Sequence, residues 1–169
     1  LASTEPQISV ENVNSLALRS DGTVWAWGRN KSGQLGDGTN RNKNIPVQVS
    51  TLSDITTIAV GRNHSLALKS DGTVLAWGNN IVGQLGDGSN QSSNEPVEVT
   101  GLSNVISIAA GVGKSFALKS DGTLWAWGFN GNGQLGDGTN TNRSAPVQVS
   151  GLNDIIDIAI GRHHSLALK

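Results

Sequence analysis

Three residue types in this chain have side chains and spacings that could do chemistry. The first are imidazoles, at His64 and the pair His163-His164, which suit a metal ligand or a general base. No carboxylate cluster repeats with them, and the chain contains no His-Glu-x-x-His, no serine elbow and no phosphate loop. The second are aspartates in glycine-rich turns, at Asp37-Gly38-Thr39 and its copies beginning at Asp87 and Asp137. Calcium would need several oxygen ligands at close spacing, and each copy offers one carboxylate. An aspartate capping the amides of its own turn is therefore expected. The third are five tryptophans, Trp25, Trp27, Trp77, Trp125 and Trp127, which could form a platform for a sugar or a peptide. They fall at two recurring positions two residues apart, so they share one face of a strand, and core packing is expected. The residues thus point to no catalytic, metal or cofactor site, and to a protein that is not an enzyme.

The elements that carry these residues repeat. Ser65 to Gly78 reads SLALKSDGTVLAWG: two short apolar runs around an Asp-Gly turn, a strong hairpin signal. The same hairpin stands at 15 to 28 and 115 to 128, and begins again at Ser165, fifty residues apart each time. Gly-Gln-Leu-Gly-Asp-Gly starts at Gly33, Gly83 and Gly133, and a Pro-Val pair at Pro46, Pro96 and Pro146. A β-branched segment ends at Gly61, Gly111 and Gly161. A fixed period of about fifty residues points to stacked repeats. Each repeat reads as four strands: the segment ending at Gly61, then Ser65 to Leu68, Thr73 to Trp77 and Pro96 to Val99. That is the content of one β-propeller blade, which must stack on neighbours to bury its faces.

The expected class is all-β, a β-propeller of four-stranded antiparallel blades. The blades are placed at about 8 to 50, 51 to 100 and 101 to 150, with a partial blade at 151 to 169. Residues 1 to 14 are irregular. Counting back by fifty makes Ile8-Ser9-Val10 a first strand; a second reading aligns Glu5-Pro6 with Glu95-Pro96, as a fourth strand before a deletion. Small residues at Ala59, Ala109, Ala110 and Ala159 suit the crowded innermost strand.

Composition sets further bounds. A net charge of −1 gives no electrostatic reason to expect nucleic acid or an anionic membrane. No apolar run approaches the roughly 20 residues of a spanning helix, so no membrane insertion is expected. The absence of cysteine rules out disulfides and leaves the compartment open, bacterial surface or cytoplasm alike. Methionine is absent even at position 1, which suggests a processed form, an engineered chain or an excised piece.

Taken together, Ala59-Val60-Gly61, His64-Ser65-Leu66-Ala67-Leu68, Asp71-Gly72, Trp77-Gly78, Asn80 and Gly83-Gln84-Leu85-Gly86 resemble the repeat of the regulator of chromosome condensation family. The resemblance implies a propeller, usually of seven blades, whereas this chain holds about half that number. It also implies a structural histidine, matched by His64 and His164 and replaced by Asn14 and Lys114, with a hydrogen-bonding role at the turn between first and second strands. The family includes a nucleotide exchange factor for a small nuclear GTPase and an inhibitor of β-lactamases, whose contacts lie outside the repeat motif.

The internal copies differ most in the connections between first and second strands and between third and fourth. In an antiparallel blade these emerge on one face, opposite the unchanging Ser-Asp-Gly turns. Diversity gathered on one face of a constant scaffold is the pattern of an interaction surface. The candidate protein-binding residues are Arg29, Lys31, Arg62, Asn63, Ile81, Val82, Phe129, Arg162 and His163. The function expected is a scaffold for protein–protein interaction, with a self-assembling structural module or a propeller fragment without an external ligand as the alternative. The first partner expected is a second copy, because half a propeller leaves apolar sheet faces and a strand edge uncovered. Thr23, Trp25 and Trp27 on one copy and Ser165, Leu166 and Leu168 on the other are the candidate self-assembly residues, closing the ring as a homodimer. That pairing would displace residues 8 to 18 of the partner and leave six blades; retaining them gives seven or eight positions.

Overall fold

The Asp-Gly turns act as the sequence requires. Asp71 Oδ1 accepts the Thr73 amide at 2.9 Å, and Gly72 takes a φ of 85°, a left-handed conformation that costs glycine little. The apolar runs on either side then zip antiparallel, with Leu66 opposite Ala76 and Leu68 opposite Val74. The computed structural model describes residues 4–11, 13–161 and 164–169, and all its regular elements are strands. They are β1 (Gln7–Glu11), β2 (Asn14–Leu18), β3 (Val24–Gly28), β4 (Lys43–Gln48), β5 (Ile55–Val60), β6 (His64–Lys69), β7 (Val74–Gly78), β8 (Ser93–Glu98), β9 (Val105–Ala110), β10 (Lys114–Lys119), β11 (Leu124–Gly128), β12 (Arg143–Gln148), β13 (Asp157–Ile160) and β14 (Ser165–Leu168).

These strands form three four-stranded antiparallel sheets in sequence order, β1 to β4, β5 to β8 and β9 to β12, and a two-stranded sheet of β13 and β14. The first strands β1, β5, β9 and β13 lie side by side, each against the next, as the inner edges of propeller blades do. Gln7–Glu11 pairs with β2, Ile8 opposite Ala17, and so occupies the first-strand position that the ungapped alignment assigns to it.

The fourth strand begins earlier than its proline suggests. β8 starts at Ser93, where it meets Gly78, and Pro96 lies inside the strand. A proline has no N–H for a ladder, which argues for a boundary, but β4, β8 and β12 are edge strands with an unpaired side, where proline is tolerated.

Side-chain parity decides how the sheets stack. Val24 and Ala26 of β3 face the second sheet, together with Leu16 and Leu18, and meet Ile58, Ala67 and Trp77 there. The same layer recurs fifty residues on, where Val74 and Ala76 face Trp127. One face of each blade is small and aliphatic and the next blade inserts an indole into it. Trp77 and Trp127 are wholly buried, whereas Trp27, Trp25 and Trp125 are half-buried. Leu75, standing where the other copies have tryptophan, is half-buried against the first core layer.

Candidate functional site

The residues that looked chemical are bound into the scaffold. Asp37 Oδ1 accepts the Thr39 amide and hydroxyl at 3.1 and 2.8 Å and the Asn30 side-chain amide at 2.9 Å. Asn30 in turn accepts the Leu35 amide at 2.9 Å, so the pair ties the long third-to-fourth connection into a fixed loop. The third repeat copies this arrangement, with Arg143 where the first has Lys43: its Nε donates to Asp137 Oδ2 at 2.7 Å, as Lys43 pairs with Asp37 at 3.1 Å. Burial acts to raise the Asp137 pKa; Arg143 and Thr139 overcome it and hold the carboxyl down at about 2. These carboxylates are turn caps, as their sequence setting suggests.

The histidine does more than serve its own turn. His64 is fully buried and reaches into the next blade, its Nε2 lying 2.9 Å from Ser115 Oγ. Ser115 Oγ spends its only hydrogen on the Gln84 carbonyl at 2.8 Å, so the network assigns the imidazole proton to Nε2. Trp127 Nε1 donates to the same carbonyl at 2.9 Å. One blade earlier Gln34 O accepts Ser65 Oγ at 2.9 Å and Trp77 Nε1 at 3.0 Å. Histidine, serine, tryptophan and the Gln-Leu-Gly loop therefore form one inter-blade clasp, a link that sequence reasoning about single turns misses. Burial lowers the His64 pKa to about 4. Lys114 replaces the histidine in the third repeat and sends its ammonium to the His164 carbonyl at 2.8 Å; burial lowers its pKa also.

The variable residues occupy the loops on one end of the sheets. Arg62, Asn63, Ile81, Val82 and Phe129 all line one depression of about 210 Å³ between the second and third blades, with Val112 and Gly113. The first-to-second connections of both blades and their third-to-fourth connections meet there. Lys31 lines a neighbouring polar depression with Ser32, Asn40 and Asn94. Asn79 belongs to both, so the two are contiguous. Arg29 is exposed and lies outside both depressions, and Arg162 and His163 lie outside the described residues.

The self-assembly candidates lie at the two flat ends of the stack. Thr23 Oγ1 bonds to Asp21 and accepts Trp25 Nε1 at 3.1 Å. The strand β3 that bears Trp25 and Trp27 is paired on both sides, by β2 and β4. Ser165, Leu166 and Leu168 belong to β14, which pairs only with β13 among the described residues, and Leu166 and Leu168 are exposed.

The serine and tryptophan bonds to the preceding blade's Gln carbonyl recur fifty residues apart, at the first and second interfaces. Residues 5–169 match the family described as RCC1-like domain. This chain belongs to that family. Among solved structures, human WBSCR16 superposes on this RCC1-like chain with a TM-score of 0.85 at 27% identity, covering 95% of this chain and 43% of its own. Yeast RCC1 (Prp20), crystallised with Kap60 bound, gives 0.83 at 26% identity, covering 99% and 42%. Human RCC2 is 40% identical over 52 residues, 30% of this chain and 10% of its own length. The RCC1-like chain thus spans less than half of these solved relatives and about a tenth of the curated one. No helix among the described residues is long and apolar enough to cross a membrane.

Proposed function

We propose that this RCC1-like chain is a non-enzymatic scaffold that holds a protein partner on its loop face, at the depression between the second and third blades. One observation carries the reading: five positions nominated only by differing between internal copies, Arg62, Asn63, Ile81, Val82 and Phe129, converge on one concavity. Ile81 is 72% exposed there, which has no packing purpose. The histidine and aspartates that could have supported catalysis are spent on clasps and turns. Relatives give the same direction, since yeast RCC1 is seen bound to Kap60 and the binding of Prp20p to Gsp1p and histones has been described. A displayed random-peptide library selected on the chain tests the reading. Ligands should be recovered that fail to bind Ile81→Asp, a surface change that leaves the near-ultraviolet tryptophan spectrum intact. Ligands indifferent to Ile81→Asp and sensitive instead to Asp71→Lys on the opposite face would overturn it.

A specific observation favours self-assembly as a second reading. Between the third blade and β13–β14 lies a cavity of about 320 Å³, lined by Phe116, Leu124, Leu135, Val149 and Ile158. In the preceding interface the equivalent aliphatic layer receives Trp127. Ser165 Oγ, the counterpart of Ser65 and Ser115, is buried there without a partner among the described residues. At the other end of the stack Ile8 and Val10 are exposed beside half-buried Trp27. A tryptophan-bearing strand added to the free edge of β14 would fill the cavity, and a second copy can supply one as a homo-oligomer that closes the ring. Sedimentation of the 169-residue chain should then show a dimer at micromolar concentration, weakened by Leu166→Asp. A monomer at all concentrations refutes this reading and leaves the loop-face reading standing.

A further inference from the structure

The loop face is not only variable but uneven in charge. Arg29, Lys31, Arg41 and Arg62 stand exposed on its connections, and among the described residues none of the four is ion-paired. Two of its aspartates are turned inward, Asp37 paired with Lys43 at 3.1 Å and Asp137 with Arg143 at 2.7 Å, both carboxylates nearly enclosed, while Glu95 is exposed beside Gly38. On the opposite face the charges are paired: Arg19 with Asp21, Lys69 with Asp71, Lys119 with Asp121 and Lys169 with Asp154. Asp54 is exposed beside these pairs and is in none of them. Among the described residues, the exposed cations without an ion pair are therefore gathered on the loop face.

The two depressions on the positive face differ in character and adjoin. The one between the second and third blades is walled by Ile81, Val82, Val112 and Phe129, with Gly113 beside Val82 and Phe129 and Arg62 at its border. The one between the first and second blades is walled by hydroxyls and amides, with Lys31 as its charged residue. Among the described residues, no carboxylate lines either. Asn79 is the wall they share, so an extended segment crossing it would leave an apolar pocket and enter a cationic, hydrogen-bonding one.

We infer that the partner is an acidic peptide segment: one apolar side chain seats against Ile81 and Phe129, and neighbouring carboxylates lie along Arg62, Asn79 and Lys31. The proposal rests on the loop-face reading and specifies the chemistry of its ligand. Desolvated carboxylate–guanidinium contacts supply specificity and on-rate, and the apolar anchor supplies contact area. The positive face also bars a basic segment of the same shape, by like-charge juxtaposition.

Fluorescence anisotropy with three labelled nonapeptides on the 169-residue chain tests the inference. The first has a central leucine flanked by glutamates, the second the same leucine flanked by lysines, and the third an alanine among glutamates. The glutamate–leucine peptide should bind at least about tenfold tighter than either other, and binding should weaken as added salt shortens the Debye length to about 3 Å at 1 M. Lys31→Glu with Arg62→Glu should abolish that preference, and Lys69→Glu on the far face should not. Equal binding of the lysine and glutamate peptides overturns the acidic-partner inference. A 20-nucleotide single strand that binds tighter than any peptide, with Lys31 and Arg62 required, also overturns it, and makes the face a nucleic-acid surface. The two levels fail separately. If library ligands depend on Ile81 but carry no acidic residues, the loop face stands and this inference falls; if they ignore Ile81 as well, both fall.

Discussion

His64 gives the sharpest test of the inter-blade clasp. Its Nε2–H donates to Ser115 Oγ, and Nδ1 is buried with no partner among the described residues. Protonation would place a charge and an unsatisfied donor in a dry layer between blades, and burial accordingly lowers the pKa from 6.5 to about 4. An unfolded chain takes up the proton at its ordinary pKa, so between pH 6.5 and 4 the unfolded state binds more protons and stability falls as pH falls. A shift of that size corresponds to about 3 kcal/mol in total at roughly 1.36 kcal/mol per unit, with about 2 kcal/mol already lost by pH 5. The lowered aspartates lose their contributions only below their unfolded pKa near 3.8, so the window from pH 7.5 to 5 belongs to the imidazole. Urea unfolding of the parent and of His64→Gln, at pH 7.5 and 5, isolates it. The parent should lose about 2 kcal/mol more than the variant between the two pH values. Parallel losses, or an imidazole that titrates near 6.5 by NMR, would refute the buried neutral clasp.

Other consequences are checked by the same unfolding measurement. Trp127→Ala should cost about 3 to 5 kcal/mol, because it empties a closed layer and deprives Gln84 O of a donor; Trp27→Ala, half-buried at the end of the stack, should cost less than half of that. Gly86→Ala should be about as damaging as Trp127→Ala, since a Cβ there would stand 2.6 Å from Trp127 Nε1 and the residue has a φ of 72°. Asn14→His alone should gain nothing, whereas Asn14→His with Glu11→Gly should stabilise by about 1 to 3 kcal/mol. Additive effects in that double-mutant cycle would contradict the coupling.

Much of the scaffold was legible because a fifty-residue period samples each structural position three times. Position 64 reads as histidine, lysine and asparagine, while Ser65 and Ser115 do not vary; the structure shows why, since the serine hydroxyl faces the carbonyl of the preceding blade in both. Alternation in Val24–Gly28 gave the two faces of the blade correctly, because strand parity is local. What was not legible depends on partners far apart in the chain. The reach of His64 to Ser115 spans 51 residues, and no local pattern encodes it. The start of β8 was misplaced because Pro96 is a boundary signal only where the strand needs the lost N–H, and edge position is a tertiary fact. The convergence of Arg62, Ile81 and Phe129 was foreseen as a shared face, but their meeting in one depression requires the blade-to-blade stacking itself.

The first repeat shows how the clasp constrains sequence and where it lets go. The imidazole of His64 lies against Gly61 so closely that a Cβ there would collide with the ring, and Gly161 stands in the same relation to His164. Glycine and histidine three residues apart are therefore one unit. In the first repeat both are gone: Glu11 stands where the glycine would be, and Asn14 where the histidine would be. The Asn14 amide is buried, and both of its polar atoms lack partners among the described residues. Other groups hold this interface together. Gln7 Nε2 donates to Thr56 O at 3.1 Å, Gln7 Oε1 accepts the Ile58 amide at 3.2 Å, and Ser9 Oγ accepts the Val60 amide at 3.1 Å, inner-strand contacts that have no counterpart at the other interfaces among the described residues. The bond has moved from the loop end of the blade to its inner strand. Loop-end residues of the first blade are thereby released from the clasp, and the cost is an unsatisfied amide that a glycine–histidine pair would remove.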